Sequence, residues 1–256
     1  MRLGKIQIFP IKSLDGLSVE QVRIAAGGIL ENDRVYAIFD KDGAVVNGKR
    51  TARVHQLRSS FDLEIKEVRL WQDNESSPTQ FQLDAPGRME DWLSAFFGFL
   101  VTLRSEPQRG FPDDRAASGP TIVSEASLRE IQTWFPDLTL ESLRRRFRAN
   151  LELSEGEAFC EDRLFGEPDE LKPFQIGPVQ FRGHNPCQRC VVPTRDPDTG
   201  QAVTEFQKQF MAMRKKTLPA WANAQRFNHF YRFAVNTSIP PTESGKYLRS
   251  GDPAIL

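Results

Sequence analysis

The chain has 256 residues, of which 39% are hydrophobic and 27% are charged, a composition typical of a folded globular protein with a sizeable core. Its 34 lysines and arginines balance its 34 aspartates and glutamates, which argues against a surface built for nucleic acid. No apolar run approaches the roughly 20 residues that cross a bilayer, and no secretory signal pattern opens the chain. With three cysteines, two of them three positions apart, we expect free thiols and a cytoplasmic protein that binds neither nucleic acid nor membrane.

Short segments that alternate apolar and polar residues dominate the first third of the chain. They are rich in β-branched and aromatic residues and are separated by glycine-containing turns, so they favour an antiparallel meander or barrel. The predicted strands cover residues 5–9, 19–24, 34–39 and 61–70. A helix is predicted over residues 89–100, where Trp92 and Phe96 lie one turn apart on the same face.

A polar stretch over residues 105–120, rich in glycine, proline and aspartate, predicts the connection between two domains. We place these domains at residues 1–115 and 116–256. A helix beginning after Ser124 or Ser127 follows, since either serine can serve as its N-cap. The remaining predicted elements are strands at 121–123, 174–181 and 230–235 and an amphipathic helix at 203–213. The fold class predicted is mainly β (α+β), with β-barrel-like domains and a few helices.

Cys187 and Cys190 form the motif with the clearest chemical meaning. A structural zinc site usually takes four nitrogen or sulfur ligands, and an iron–sulfur cluster takes four thiolates, whereas this chain has three cysteines in total. A thioredoxin-type pair precedes a helix, and the following Val-Val-Pro-Thr is a poor helix start. Two readings remain: one thiolate that binds a metal whose other ligands belong to an organic cofactor, or small thiols without chemistry.

Residues 144–148 contain four arginines, and such a run is as typical of a solvated surface as of an anion site. We predict that Arg148 and Asn150 share one face of an extended strand, where a guanidinium beside a carboxamide suits a phosphate or a planar ring with several acceptors. Lys12, at the end of the first strand, and Arg34, at the start of the third, are as single residues more typical of ordinary surface. The absence of a glycine-rich phosphate loop gives no support to nucleotide binding of the P-loop or Rossmann kind.

Five segments then occur in a characteristic order: Phe9-Pro10-Ile11-Lys12-Ser13, residues 28–36, residues 122–128, Phe147-Arg148-Ala149-Asn150, and Cys187-Gln188-Arg189-Cys190 followed by Asp196 to Gly200. In this order they resemble the MOSC family of molybdenum-cofactor proteins, which includes the mitochondrial amidoxime-reducing component. The resemblance runs through nearly the whole chain. It implies a MOSC-associated N-terminal β-barrel domain followed by a MOSC β-barrel domain.

The resemblance also implies the site residues. Cys190 would bind molybdenum, carried by the molybdopterin cofactor. The residues implied to hold the pterin and its phosphate are Lys12, Ser13, Arg34, Ser118, Arg148, Asn150 and Arg189. Asp196 and Thr194 are candidate catalytic proton donors because they follow Cys190 closely in sequence.

The activity implied is an oxidoreductase that reduces small N-hydroxylated substrates, of the amidoxime or hydroxylamine type, to amidines or amines. Its electrons would come from an external reductase, ferredoxin or cytochrome-b5-like carrier. One alternative is a molybdenum-cofactor carrier or sulfur-transfer module without turnover of its own, as in the carboxy-terminal part of molybdenum cofactor sulfurases. A third is a zinc or dithiol redox module that uses Cys187 and Cys190. Departures from the family pattern at residues 40–57 and at Arg195 leave the substrate open.

Overall fold

A computed structural model describes residues 1–72 and 77–255, and it is built mostly from β-strands. The strands are β1 (Arg2–Ile8), β2 (Leu17–Val19), β3 (Gln21–Arg23), β4 (Tyr36–Asp40), β5 (Leu57–Asp62), β6 (Glu67–Gln72), β7 (Thr79–Gln82), β8 (Val101–Ser105), β9 (Ile122–Ser124), β10 (Leu151–Ser154), β11 (Lys172–Ile176), β12 (Val179–Gln188), β13 (Arg232–Ser238), β14 (Tyr247–Arg249) and β15 (Ala254–Ile255). The α-helices are α1 (Gly87–Phe97), α2 (Glu125–Trp134), α3 (Leu140–Phe147) and α4 (Phe206–Lys216). The mainly β class with a few helices is confirmed.

The largest sheet has eight strands in the order β15-β11-β12-β13-β9-β10-β1-β2. Strand β1 pairs antiparallel with β10, which places Ile6 opposite Leu151, and β10 runs parallel to β9. The alternation of β1 turns Leu3, Ile6 and Ile8 into the core beneath this sheet. The first strand of the chain therefore lies inside the sheet that the second half of the chain builds, and its end points to the same edge as the start of β10.

Two further cores complete the molecule. In the first half, β4 pairs with β8, the hairpins of β5, β6 and β7 form a second sheet, and α1 packs Met89 and Leu93 onto them. In the second half, an aromatic cluster joins α2, α3 and α4 to β13, with the ring of Phe147 4.5 Å from that of Phe233 and 5.7 Å from that of Phe210. This cluster fixes the position of α3, and with it the position of Arg148, which directly follows the helix.

Several local predictions agree with the structure. The helix over 89–100 is confirmed as α1 with an earlier end, because Gly98 takes φ 79° and caps it. Of the two proposed N-caps for α2, Ser124 is the one used: its Oγ accepts from the backbone N–H of Ser127 at 3.1 Å. The Ser127 hydroxyl instead donates to buried Glu161 at 2.8 Å.

Four local predictions are wrong. Residues 19–24 are divided between β2 and β3, and residues 174–181 form the hairpin of β11 and β12, where Gly177 takes φ 52°. Residues 61–70 form a hairpin rather than one strand, because Asp62 accepts from the N–H of Glu64 and Lys66 takes φ 53°, so the chain turns without a glycine. Arg148 does not lie in an extended strand beside Asn150. It is the left-handed C-cap of α3, with φ 53° and ψ 44°, and Asn150 leads into β10. Helix α3 itself has no counterpart in the sequence prediction; the side chain of Thr139 caps it.

One expectation concerns the membrane. Within residues 1–72 and 77–255, no helix is both long enough and apolar enough to span a bilayer.

Candidate functional site

A cavity of about 1110 Å³ opens where the end of β1, residues 47–59, the loop at 112–121, the end of α3 and the end of β12 meet. Among the described residues that line it, twelve are lysine or arginine and five are aspartate or glutamate. The whole chain has equal numbers of basic and acidic residues, so the positive charge is concentrated here. A half-enclosed cavity with this charge attracts and holds an anionic ligand.

Most of the predicted site residues meet in this one cavity. Those that line it are Lys12, Ser13, Arg34, Arg148, Asn150, Arg189 and Cys190. Ser118 is not among the described lining residues, although its neighbours Ala117 and Gly119 are. The residues thus come from the start, the middle and the last third of the chain, and the fold of the large sheet brings them together. Their roles toward a cofactor stay predictions.

Lys12 and Asp113 form an internal ion pair at the mouth of the cavity. The Lys12 ammonium lies 2.9 Å from the Asp113 carboxylate and donates to the carbonyl of Phe111 at 2.8 Å, while Lys49 lies 3.7 Å from the same carboxylate. Burial lowers the pKa of Lys12, and the charge of Asp113 offsets part of this effect. For Asp113, burial acts to raise the pKa, but the charges of Lys12 and Lys49 outweigh it and bring the pKa well below its usual range. The carboxylate of Asp113, whose side chain is 65% exposed, thus occupies an anion position between two lysines.

Arg34 and Arg148 converge on the ring of Phe9. The guanidinium of Arg148 lies 4.1 Å from the ring centroid and that of Arg34 lies 5.7 Å from it, and Arg148 also donates to the carbonyl of Leu14 at 2.6 Å. Burial, and then the charge of Arg34, lower the pKa of Arg148 to about 10. Two guanidinium groups packed on one ring suit an anionic ligand, which would compensate their positive charge.

The backbone supports this arrangement at a cost. Ser13, Arg34 and Arg148 have φ values of 77°, 53° and 53°, in the left-handed region that disfavours residues with a β-carbon. Each such conformation costs about 1–3 kcal/mol and persists because the surrounding structure imposes it. Such residues cluster at functional sites, and the fact that three predicted site residues share this conformation supports the site independently of their side-chain chemistry.

Asn150 plays a different part in the geometry. Its carboxamide is 1% exposed and donates to the carbonyl of Gln7 at 3.1 Å and to Asp33 at 3.0 Å, while its oxygen accepts from the backbone N–H of Thr121 at 3.2 Å. Asp33 also accepts from the N–H of Phe9, and burial raises its pKa against the opposing charge of Arg34. Both donors of the Asn150 amide are therefore used by the protein, and they hold β1, β9 and the segment of Arg34 together.

Cys187 and Cys190 are both half-buried free thiols on the cavity wall, Cys187 in β12 and Cys190 just after it. Arg189 between them donates to the sulfur of Cys187 at 3.3 Å, and its backbone N–H donates to the carbonyl of Tyr231 at 3.0 Å. Within the described part of the chain, the sulfur of Cys190 has no hydrogen bond. Cys160 is buried elsewhere, and burial raises its pKa to about 11. Cys190 is thus the cysteine whose sulfur is presented to the cavity without a protein partner.

Thr194 and Asp196 are not among the described residues that line the cavity. The Thr194 hydroxyl donates to the carbonyl of Val191 at 2.7 Å, and Asp196 accepts from the backbone of Asp198 and Thr199 and lies 3.6 Å from buried Arg146. Both side chains therefore shape the turn after Cys190. Their role as proton donors stays a prediction.

Among the cavity residues that the sequence analysis did not predict are His55 and Arg58. His55 lines the cavity with its Nε2 buried and without a hydrogen-bond partner, and burial together with the charge of Arg195 lowers its pKa to about 4, so the ring is neutral near pH 7. Arg58 lies 3.3 Å from Asp15 and 3.4 Å from Asp198, which ties β5 to the turn after Cys190. Both belong to the segment around residues 40–60, where His55 and Arg58 stand among three other basic residues at 49, 50 and 53 and form no recognisable motif.

A metal site made entirely of protein side chains, such as a structural zinc site, has no support in the described residues. Among residues 1–72 and 77–255, no three histidine, cysteine, aspartate or glutamate side chains lie close enough together to hold a metal ion. A zinc module would need such a group. The two cysteines of the motif have no third ligand from the described chain.

Comparison with known proteins identifies the fold family. Residues 1–95 match the model of the MOSC N-terminal beta barrel domain, and residues 108–253 match that of the MOSC domain. The chain belongs to the MOSC family. Both matches respect the chain order of the sequence motifs, and the residues between them, 96–107, hold the end of α1 and strand β8.

Curated relatives of this MOSC protein are distant. It is 26% identical over 236 residues to a molybdenum cofactor sulfurase of Drosophila ananassae, covering 80% of this chain and 29% of that protein. It is 26% identical over 239 residues to mitochondrial amidoxime reducing component 2 of Bos taurus, covering 77% of this chain and 67% of that protein. A molybdenum cofactor sulfurase 1 of Aedes aegypti is 24% identical, covering 80% and 31%. The chain spans about 30% of the length of the sulfurases it matches.

The cavity residues of this MOSC protein fit a molybdenum cofactor. A pterin with a phosphate is planar, anionic and rich in acceptors, which matches the arginines on Phe9 and the lysine pair around Asp113. A soft metal ligand is needed in addition, and the sulfur of Cys190 is the one without a protein partner. Cys190 would hold the metal, and Lys12, Ser13, Arg34 and Arg148 would hold the organic part.

Proposed function

We propose that this MOSC protein is a molybdenum-cofactor-dependent oxidoreductase that reduces N-hydroxylated compounds, of the amidoxime or hydroxylamine type, to amidines or amines. The observation that carries the proposal is the single unpartnered thiol of Cys190 on the wall of a cavity whose lining is strongly basic. The name of one relative, mitochondrial amidoxime reducing component 2, supports the substrate class. The match covers 67% of that protein.

The reaction has a simple balance. The N–O bond of the substrate breaks, two electrons and two protons are consumed, and the products are the amine or amidine and water. When bound, the cofactor supplies the two-electron redox chemistry. The electrons come from an external donor of the reductase, ferredoxin or cytochrome type, which this proposal includes as a partner.

The protein's own residues bind and orient the cofactor. Lys12, Arg34 and Arg148 offset the negative charge of the cofactor, and each charge-assisted bond contributes about 1.5–3 kcal/mol. Their backbone and side chains are already fixed by Phe9, Leu14 and the Asn150 network, so little ordering is needed on binding. The thiol of Cys190 holds the metal at the wall formed by the end of β12.

A second candidate follows from the relatives called molybdenum cofactor sulfurase, of which this chain matches about 30%. In that case the protein would bind the cofactor and pass it or its sulfur to another protein without reducing a substrate. The same cavity would serve both functions, so the two are distinguished by whether the protein reduces a substrate.

The experiment uses the full chain purified from a host that makes the molybdenum cofactor. Benzamidoxime is offered with a chemical electron donor such as reduced methyl viologen, and benzamidine is measured. The proposal expects turnover that scales with molybdenum content. Cofactor-loaded protein that transfers cofactor to an apoenzyme but reduces no N-hydroxylated compound would establish the carrier function instead. Zinc without molybdenum would contradict both.

Cytoplasmic location is part of the proposal. All three cysteines are free, including the half-buried pair of the motif, which a reducing compartment preserves. Cell fractionation tests it, and recovery of the protein from an oxidising compartment would contradict it.

A further inference from the structure

One wall of the cavity carries two arginines that the cofactor prediction does not use. Arg226 and Arg232 both line the cavity near Cys187 and are half-buried. Arg226 donates to the carbonyls of Gly166, at 2.8 Å, and His184, at 2.8 Å. These contacts to main-chain oxygen hold its guanidinium in one place.

Arg232 is held in the same way. It donates to the carbonyl of Pro186 at 2.9 Å and to the side-chain oxygen of Asn228 at 2.7 Å. The anchoring carbonyls of the two arginines, on His184 and Pro186, are two residues apart in β12, which corresponds to about 7 Å along an extended strand. The two guanidinium groups are therefore anchored to neighbouring carbonyls of one strand and line the same cavity.

Neither arginine has a counterion. Within the described residues, no carboxylate lies within 4.0 Å of Arg226 or Arg232, and every hydrogen-bond partner of the two guanidinium groups is a neutral oxygen. Burial lowers the pKa of Arg232, the Cys187 thiol opposes this, and the charge of Arg226 lowers it further. Asp114 lines the same cavity, but its carboxylate accepts from the backbone of the next turn of its own loop.

Donor capacity remains for a ligand. A guanidinium has five N–H groups, and the contacts above leave donors on both arginines. The neighbouring lining side chains are neutral amides: Asn185, Asn228 and Asn236. This part of the cavity is thus doubly positive and edged by amides, and it adjoins Cys187, three residues before Cys190.

We propose that Arg226 and Arg232 form a substrate subsite that binds an anionic group, so the preferred substrates are N-hydroxylated compounds that also carry a carboxylate or a phosphate-like acid. This inference rests on the proposed function for the reacting end of the substrate. The subsite lies beside the cysteine motif, so an acid held there leaves the N-hydroxyl group free to reach the Cys190 side of the cavity.

The test compares benzamidoxime with its 4-carboxy and 4-phosphono derivatives on cofactor-loaded protein. We expect kcat/KM for a charged derivative to exceed kcat/KM for benzamidoxime. Arg226→Gln and Arg232→Gln should each reduce the ratio of these two values about tenfold, which corresponds to one lost charge-assisted bond. The carboxy and phosphono arms show which acid is preferred. Arg182→Gln is the matched control, because Arg182 is an exposed arginine of β12 outside the cavity, and it leaves the ratio unchanged.

Two further measurements keep the inference separate from the proposed function. Calorimetric binding of 4-carboxybenzamidoxime without an electron donor needs no turnover; weaker binding in Arg232→Gln, with partial recovery in Arg232→Lys, supports the subsite even if no substrate is reduced. Equal ratios in wild-type protein and both Gln variants would overturn it. Loss of molybdenum from both variants would overturn it too, because the arginines would then serve the cofactor.

Discussion

Replacing Asn150 by alanine tests whether this residue serves the protein or a ligand. The substitution removes the hydrogen bonds of a buried side chain: those to the carbonyl of Gln7 and the carboxylate of Asp33, and those from the N–H and the hydroxyl of Thr121. The hydroxyl bond, at 3.4 Å, is long and adds little. Two neutral bonds contribute about 1 kcal/mol each and a bond to a carboxylate about 2 kcal/mol, so the loss is about 4 kcal/mol. Native domains have a margin of about 5–15 kcal/mol, so the variant should still fold.

The assay is urea denaturation of the cofactor-free protein, followed by circular dichroism. Asn150→Ala should lower the free energy of unfolding by about 4 kcal/mol, with an unchanged dependence on urea. Asn236→Ala is the control: it breaks one side-chain hydrogen bond, to the half-buried Asn185, and should cost about 1 kcal/mol or less. A cofactor-free Asn150→Ala protein as stable as wild type would refute the reasoning, since it would mean that the amide matters only to a bound ligand.

Two more predictions concern the backbone and a buried acid. Because Arg148 has φ 53°, Arg148→Gly should be about 1 kcal/mol more stable than Arg148→Ala in cofactor-free protein, and equal stabilities would contradict the left-handed conformation. Burial and the charge of Asp162 raise the pKa of Glu161 from 4.5 to about 7. Its folded-state pKa exceeds the unfolded one, so the stability it contributes is complete below pH 4.5 and is lost as the pH rises through about 7. Between these pH values the free energy of unfolding should fall by about 3 kcal/mol more in wild type than in Glu161→Gln, and equal falls would contradict the raised pKa.

Sequence periodicity predicted the elements whose information is local. Helix α1 and helix α2 follow from apolar residues at helical spacing and from a serine N-cap, and these signals lie within a few residues of the elements themselves. The turn at residues 63–66 was missed because it uses Asp62 and a left-handed Lys66 in place of glycine, so the alternation of β5 runs on without a visible break into β6.

The site was predicted by family resemblance more than by local pattern. The conformation of Arg148 depends on Phe9 and Leu14, more than 130 residues earlier, and no local rule predicts a left-handed arginine there. The commitment of Asn150 to Asp33 is of the same kind. His55 was missed because its surroundings are set by Gly48, where a β-carbon would lie 2.7 Å from Nε2, and by the cavity itself.

The account depends on a metal bound by one cysteine of a pair. Molybdenum and pterin are measured per chain in wild type, Cys190→Ala and Cys187→Ala, all purified from the same cofactor-producing host. The account predicts about one molybdenum per chain in wild type, a near-complete loss in Cys190→Ala, and retention of most of it in Cys187→Ala. Full molybdenum content in Cys190→Ala would contradict it, and an equal loss in both variants would favour a dithiol site.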